Sequence, residues 1–154
     1  MTYQGLLPDT HNVLTAPFWA ATHERRLTAQ RCSSCSVFRW PPSELCPECV
    51  STAATWTQLA GTAEVWSYAV YHRSMHPAFT AVPYTVALLE LPEGIRMYGA
   101  VVTSTGDADA DGEVKIGDQV RAAFERTEDD VVLVRWIPSE EESALAAVQL
   151  EEQP

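Results

Sequence analysis

Four cysteines lie within one short window of the chain, as two Cys-x-x-C pairs, Cys32–Cys35 and Cys46–Cys49, with ten residues between them. Each pair predicts a tight turn that aims two thiolates at one point, and four such thiolates form a tetrahedral metal site. Four sulfurs leave no open coordination position, so the spacing predicts a structural Zn²⁺ ion rather than a hydrolytic one. Iron in a rubredoxin-like site is the main rival metal, and two disulfides or a redox pair are further alternatives.

The remaining residues that are able to do chemistry form no catalytic pattern. Four histidines are scattered along the chain without the serine and carboxylate partners of a triad, namely His11, His23, His72 and His76. We therefore expect no catalysis by this chain alone. The segment from Tyr71 to Phe79 is polar, aromatic and basic, and it is predicted to form a loop between the first two strands. OB barrels place ligand-facing loops there, whereas the alternative is an ordinary exposed loop.

A second candidate metal motif lies in an acidic segment, Asp107 to Glu113, which matches the start of an EF-hand calcium loop. Position twelve of that loop is Asp118, where a bidentate glutamate is required. The flanking segments also predict strands, whereas an EF-hand needs helices. A solvated acidic hairpin loop is therefore favoured over a calcium site.

The net charge of −11 is concentrated in two places. Residues 1–60 hold four basic and four acidic residues, so residues 61–154 carry the whole excess. Nine of these charges belong to the acidic loop and the last fifteen residues. A clustered basic surplus, which nucleic-acid binding requires, is missing from the second half. No apolar run approaches the roughly 20 residues of a membrane span, and we expect a cytoplasmic protein without a membrane partner.

The pattern of apolar residues predicts a mainly β protein. A short helix is expected from Ala16 to about Thr28, with Thr15 as a candidate cap and Pro17 in its first turn. The cysteine ribbon follows, and five strands are predicted at 59–71, 84–91, 95–102, 119–125 and 131–137. Five strands of which the first is long fit a closed OB-fold barrel. Ser139 is a candidate cap for a short acidic C-terminal helix or tail.

These elements divide the chain into four predicted units. An N-terminal arm and helix occupy residues 1–29, and a rubredoxin-like Cys₄ zinc ribbon occupies residues 30–56. The OB-fold barrel takes residues 57–138, and the acidic helix or tail takes residues 139–154.

The order of these features resembles a known family, the zinc-ribbon OB-fold proteins associated with acyl-CoA metabolism, long filed as a domain of unknown function. The resemblance covers roughly residues 16–137. It rests on the following motifs: Phe18-Trp19, 30–35 with the first cysteine pair, 38–42 with its Pro-Pro, 46–49, Gly61–Val65, Pro83–Ala87 and Ile116–Val120. Ser36 and Val50 stand where the family more commonly has glycine.

The resemblance implies an accessory subunit that binds a thiolase-fold enzyme in a hetero-oligomer, with an acyl-CoA substrate shared between them. Such enzymes include thiolases, acyltransferases and retro-aldolases that shorten steroid side chains. The residues that we expect to contact the partner or CoA are Phe18, Trp19, Arg25, Arg26, Arg31, His72, Arg73, His76 and Phe79. Two other functions stay open, a single-stranded nucleic-acid-binding module and a rubredoxin-like electron carrier.

Overall fold

The computed structural model of the chain describes residues 6–76, 82–102 and 114–139. The acidic loop with its calcium-like motif, Phe79, and the predicted C-terminal helix after Ser139 lie outside these residues. Within the described ranges, no helix has the length and apolar character that crossing a membrane requires.

The N-terminal helix, α1, runs from Ala16 to His23 and carries Pro17 in its first turn. Thr15 occupies the N-cap position, but its side chain makes no capping hydrogen bond. The prediction that the helix continues to Thr28 is wrong. Arg25 adopts a left-handed conformation with φ of 55°, and the backbone N–H of Arg26 returns to the Ala21 carbonyl, which is how helices commonly end.

Three short strands form the ribbon that follows the helix: β1 at Thr28–Cys32, β2 at Phe38–Arg39 and β3 at Ala54–Gln58. They pair antiparallel in the order β2-β1-β3. The first cysteine of the first pair, Cys32, ends β1. The ribbon sheet therefore holds one cysteine pair at its end, and the second pair lies in the connection between β2 and β3.

Five strands close into a barrel: β4 at Thr62–Tyr71, β5 at Tyr84–Glu90, β6 at Arg96–Val101, β7 at Gln119–Arg126 and β8 at Val132–Pro138. Their order around the barrel is β4-β5-β6-β8-β7, with antiparallel pairing throughout except for the parallel contact of β6 with β8. This confirms the predicted mainly β fold with an N-terminal helix, a cysteine ribbon and a five-stranded OB-like barrel.

Alternating apolar residues of the strands fill the barrel, and the largest of them is Trp136, which is 1% exposed. The same continuous core includes Phe18 of α1 together with Leu27 and Leu59, which flank the ribbon strands. Helix α1 packs against β8 and β1. The ribbon and the barrel thus share one hydrophobic core, and the small ribbon buries its apolar residues against the barrel and the helix.

Candidate metal centre

The four cysteines meet at one point, and all four Sγ atoms lie within 4.8 Å of one another. The Sγ atoms of Cys32 and Cys49 are 3.6 Å apart, and those of Cys35 and Cys46 are 3.5 Å apart. A tetrahedral ion with metal–sulfur bonds of ~2.3 Å requires sulfurs ~3.8 Å apart, so this donor set fits a metal. A disulfide requires ~2.0 Å, and the four thiols are free. The cysteines form a zinc-ribbon-type metal site.

The backbone of each cysteine pair folds into the same tight turn. Ser36 donates its N–H to the carbonyl of Cys32, and Val50 donates its N–H to the carbonyl of Cys46, each at 3.0 Å. Both donors have a positive φ, 65° for Ser36 and 61° for Val50. The turn demands this left-handed conformation, which explains why glycine is the favoured residue type there.

The thiols of the cluster have pKa values that are shifted in opposite directions. The backbone N–H of Cys35 and the Arg39 side chain stabilise the Cys32 thiolate and lower its pKa to about 5. At Cys35 the backbone N–H of Val37 lowers the pKa, but desolvation and the neighbouring sulfurs outweigh it and raise the pKa to about 12. A bound metal ion would favour the thiolate form of all four cysteines, because metal ligands bind deprotonated.

A buried arginine, Arg39, donates hydrogen bonds to the backbone around the second cysteine pair. Arg39 is 2% exposed, and its guanidinium donates to the carbonyls of Ser51 at 2.9 Å and Ala53 at 3.0 Å. A longer bond of 3.3 Å reaches the Ser43 carbonyl. Hydrogen bonding to the Cys32 thiolate raises the pKa of Arg39. This one side chain thus ties the strand between the cysteine pairs to the segments on both sides of the second pair.

The left-handed Val50 supports a stability prediction. Val50 is β-branched, 67% exposed and held at φ 61°, a conformation that costs a β-branched residue ~1–2 kcal/mol. Val50→Gly removes this strain, and we expect the free energy of unfolding of the metal-loaded protein to rise by ~1 kcal/mol in denaturant titrations. Ser36→Gly at the other turn is the matched comparison, and its gain should be smaller because serine is not β-branched. A loss of stability in Val50→Gly would contradict this account.

The predicted aromatic pair of α1 lies against the ribbon. Phe18 is 7% exposed, and its ring centroid lies 4.9 Å from that of Trp19 and 5.0 Å from that of Trp40. Trp19 is half-buried. Phe18 thus lies in the interior, where it joins helix to ribbon, and the partner contact that we predict for these two residues stays a prediction.

The three predicted N-terminal arginines are in different environments. Arg26 forms a salt bridge of 2.6 Å with Glu24. Arg31 donates to the Ser36 carbonyl and lies over the ring of Phe38. Arg25 is exposed and forms no salt bridge within the described part of the chain. The structure therefore does not bring the three together into one anion site.

The predicted loop after β4 is described as far as His76. His72, Arg73 and His76 are all exposed there, and the Ser74 hydroxyl donates to the His76 carbonyl at 2.8 Å. These three residues are far from the cysteine cluster in the chain. Their role in contacting a partner or CoA stays a prediction.

An apolar surface on the outside of the barrel is a feature that the sequence analysis missed. Leu88 pairs with Tyr98 across β5 and β6, and the outward positions of β5 continue to Val86 and Tyr84. Trp66, at a bulge in β4, is 46% exposed, and Tyr98 is 77% exposed. We call this surface the outer apolar face; its members are Trp66, Tyr71, Tyr84, Val86, Leu88 and Tyr98. The available signal in the sequence was the apolar and aromatic residues at alternate positions of β5, namely Tyr84, Val86 and Leu88.

Comparison with known proteins gives the family. A family model described as the rubredoxin-like zinc ribbon domain of ChsH2 matches residues 19–53, and the model of the ChsH2 C-terminal OB-fold domain matches residues 56–125. A DUF35 domain-containing scaffold protein of Methanocaldococcus jannaschii is 33% identical over 114 residues, which span 73% of this chain and 77% of the relative. The chain belongs to the DUF35 family.

Two further matches are to proteins whose names include an enzyme. A probable enoyl-CoA hydratase alpha subunit of Thermomonospora curvata is 48% identical over 81 residues, or 52% of this chain. The match spans 25% of that relative's length. The solved structure of the Ltp2-ChsH2(DUF35) aldolase superposes with a TM-score of 0.74 and 35% identity, covering 86% of this chain and 99% of the matched chain.

Proposed function

We propose that this chain is a non-catalytic accessory subunit that docks on a thiolase-fold enzyme acting on acyl-CoA thioesters. The observation that carries the proposal is the match to a chain of the Ltp2-ChsH2(DUF35) aldolase. The match covers nearly the entire length of that aldolase chain. The hydratase alpha subunit that resembles this chain points to the same class of thioester substrate. The reaction that the partner performs is proposed to be C–C bond cleavage or formation, of which steroid side-chain cleavage is one form.

The outer apolar face is the surface that we propose for docking. It carries two exposed aromatic side chains, and buried aromatic residues are the usual energetic centre of protein interfaces. Arg96 lies over the Trp66 ring at 3.9 Å and pairs with Glu90 at 3.0 Å, so charge is confined to one end of the face. The loop with His72 and Arg73 continues directly from β4 at the other end, which allows it to reach the same partner.

The proposed metal is zinc with a structural role. All four donors are cysteine sulfurs, which leaves no position for water or substrate. A bound zinc ion would hold the two cysteine turns together and thereby fix the ribbon on the barrel. Metal analysis of the purified protein decides between zinc and iron, since iron in a four-cysteine site gives a visible absorption and zinc gives none.

The docking proposal predicts the effect of a surface mutation. We expect Tyr98→Ala to raise the dissociation constant for the partner enzyme at least tenfold, because the face loses its most exposed aromatic side chain. The partner is first isolated with tagged wild-type protein from the source cell and identified by mass spectrometry. Its affinity for each variant is then measured by calorimetry with the purified proteins.

Val13→Ala is the control variant, because Val13 is 90% exposed and lies before α1. It should leave the affinity unchanged. A partner without a thiolase fold would refute the proposed enzyme class. Equal affinities of Tyr98→Ala and the wild type would refute the docking surface.

The same face is the one on which OB-fold proteins stack nucleic-acid bases, so a nucleic-acid function is the competing proposal. Such binding needs basic side chains along the face, yet Arg96 is already paired with Glu90 and Glu64 lies beside that pair. Salt-sensitive binding of a labelled single-stranded oligonucleotide would favour the competing function. We expect none at low salt.

A further inference from the structure

Six of the nine arginines in the described ranges have partners there; Arg73 lies in the exposed loop after β4, and the other two without a partner line one cleft. Four arginines form salt bridges with carboxylates, namely Arg26, Arg96, Arg126 and Arg135. Arg39 and Arg31 are engaged within the ribbon. Arg25 and Arg121 form no salt bridge in the described ranges, and both contribute to the walls of a single cleft. Two cations without a carboxylate partner in the described ranges therefore lie at one place.

The cleft lies where the ribbon meets the barrel, and its volume is about 290 Å³. One wall comes from the end of α1 and from the segment that connects β3 to β4, including Leu59 and Gly61. The other wall comes from β7, with Arg121 and Phe124. Among the residues that the structure describes, no carboxylate lines the cleft. Glu93 is not part of the lining, although its Oε1 accepts the N–H of Ala60, which is.

The two guanidinium groups leave donor capacity unused. Arg121 is half-buried, and its Nε is enclosed without a hydrogen-bond partner. A buried donor that is left unpaired costs ~1–3 kcal/mol, so such an atom marks a place where a partner is absent. Arg25 is presented by the left-handed turn that ends α1, where its φ is 55°. Guanidinium groups with free donors are suited to bind a phosphate or a carboxylate.

Apart from Gln58 and Thr62, the remaining residues that line the cleft are apolar or glycine, and they define the rest of the ligand. Leu27 and Leu59 are buried, and Phe124 is half-buried beside them. An inorganic anion alone would make no contact with these three apolar side chains. A ligand with an anionic head and a short apolar body would satisfy both parts of the cleft, and the volume is at the lower end of the range for small-molecule sites.

We propose that the cleft between Arg25 and Arg121 binds a small amphiphilic organic anion, with its phosphate or carboxylate head on the two arginines and its apolar body against Leu27, Leu59 and Phe124. The site is distinct from the cysteine cluster and from the outer apolar face. It does not depend on the proposed docking function, because every contributing residue belongs to this chain.

The test uses the ¹⁵N-labelled, metal-loaded full chain and three probes: hexyl phosphate, hexanoate and inorganic phosphate. Signals of the Gly61 amide and the Arg121 Nε–H are followed by nuclear magnetic resonance during titration. We expect saturable shifts with hexyl phosphate or hexanoate, and the tighter of the two identifies the head group. Arg121→Met and Arg25→Met should each raise the dissociation constant at least tenfold.

Arg126→Met is the matched control, because Arg126 lies on the same strand but is paired with Asp130. Its dissociation constant should stay within twofold of the wild type. Arg25 is exposed, so Arg25→Met should fold normally and keeps the test valid if Arg121→Met is unstable. No saturable shift with any probe, or unchanged affinity in Arg25→Met, would overturn the proposal. Equal affinity for inorganic phosphate and hexyl phosphate would overturn the assignment of the apolar body.

Discussion

Cys46→Ser is expected to abolish stoichiometric metal binding and to unfold the ribbon over residues 28–58. Cys46 is 2% exposed and supplies one of the four sulfurs of the cluster. Structural zinc sites contribute an apparent ~10 kcal/mol or more of folding free energy in small domains, because the site does not exist in the unfolded chain. The ribbon strands have few apolar residues with which to replace this contribution. Metal analysis and hydrogen–deuterium exchange of the full chain measure both effects.

The exchange pattern distinguishes local from global unfolding. Amides of β1 and β3 should lose protection in Cys46→Ser, while those of β5 and β6 stay protected by the barrel pairing. Ser33→Ala is the control, because Ser33 lies inside the first cysteine turn and its side chain is exposed. It should retain one metal ion and normal protection. A Cys46→Ser protein with full metal content and a protected ribbon would show that the cluster is not the metal site.

Gly99→Ala is expected to destabilise the protein by ~3 kcal/mol, although alanine is normally favoured over glycine in a strand. A methyl group at Gly99 would meet Cδ1 and, at 2.5 Å, Nε1 of Trp136. Trp136 is 1% exposed and fills the barrel, so its ring has no space into which to move. Without this contact the same substitution would stabilise by ~0.4–1 kcal/mol. Denaturant titration of the metal-loaded protein gives the difference.

Two comparisons isolate the contact. Gly94→Ala makes the same chemical change where nothing lies within 4 Å of the added methyl, and its cost of ~1 kcal/mol should come only from the φ of +79°. Trp136→Leu combined with Gly99→Ala should cost less than the sum of the two single variants, since the smaller side chain makes room for the methyl. Strict additivity of the two substitutions would disprove the proposed clash.

The barrel strands were predictable because their pattern is local. In Gln119–Arg126 the apolar residues Val120, Ala122 and Phe124 lie at every second position, and the sequence analysis placed this strand at 119–125. The end of α1 was not predictable in the same way. Arg25 terminates the helix in a left-handed conformation that arginine rarely adopts, and no glycine marks the position. The chain then enters β1 at Thr28 because pairing with β3 satisfies its backbone groups.

The cysteine spacing by itself determined the metal site, because two tight turns with two sulfurs each leave few ways to arrange the thiols. The alternation of apolar residues similarly determined the number and place of the barrel strands. Only the tertiary structure decided which residues far apart in the chain meet. It places Gly99 under Trp136, Leu88 beside Tyr98 on an exposed face, and Arg25 with Arg121 in one cleft. Such contacts depend on how the barrel closes and on how the ribbon packs against it. A local sequence pattern specifies neither of these arrangements.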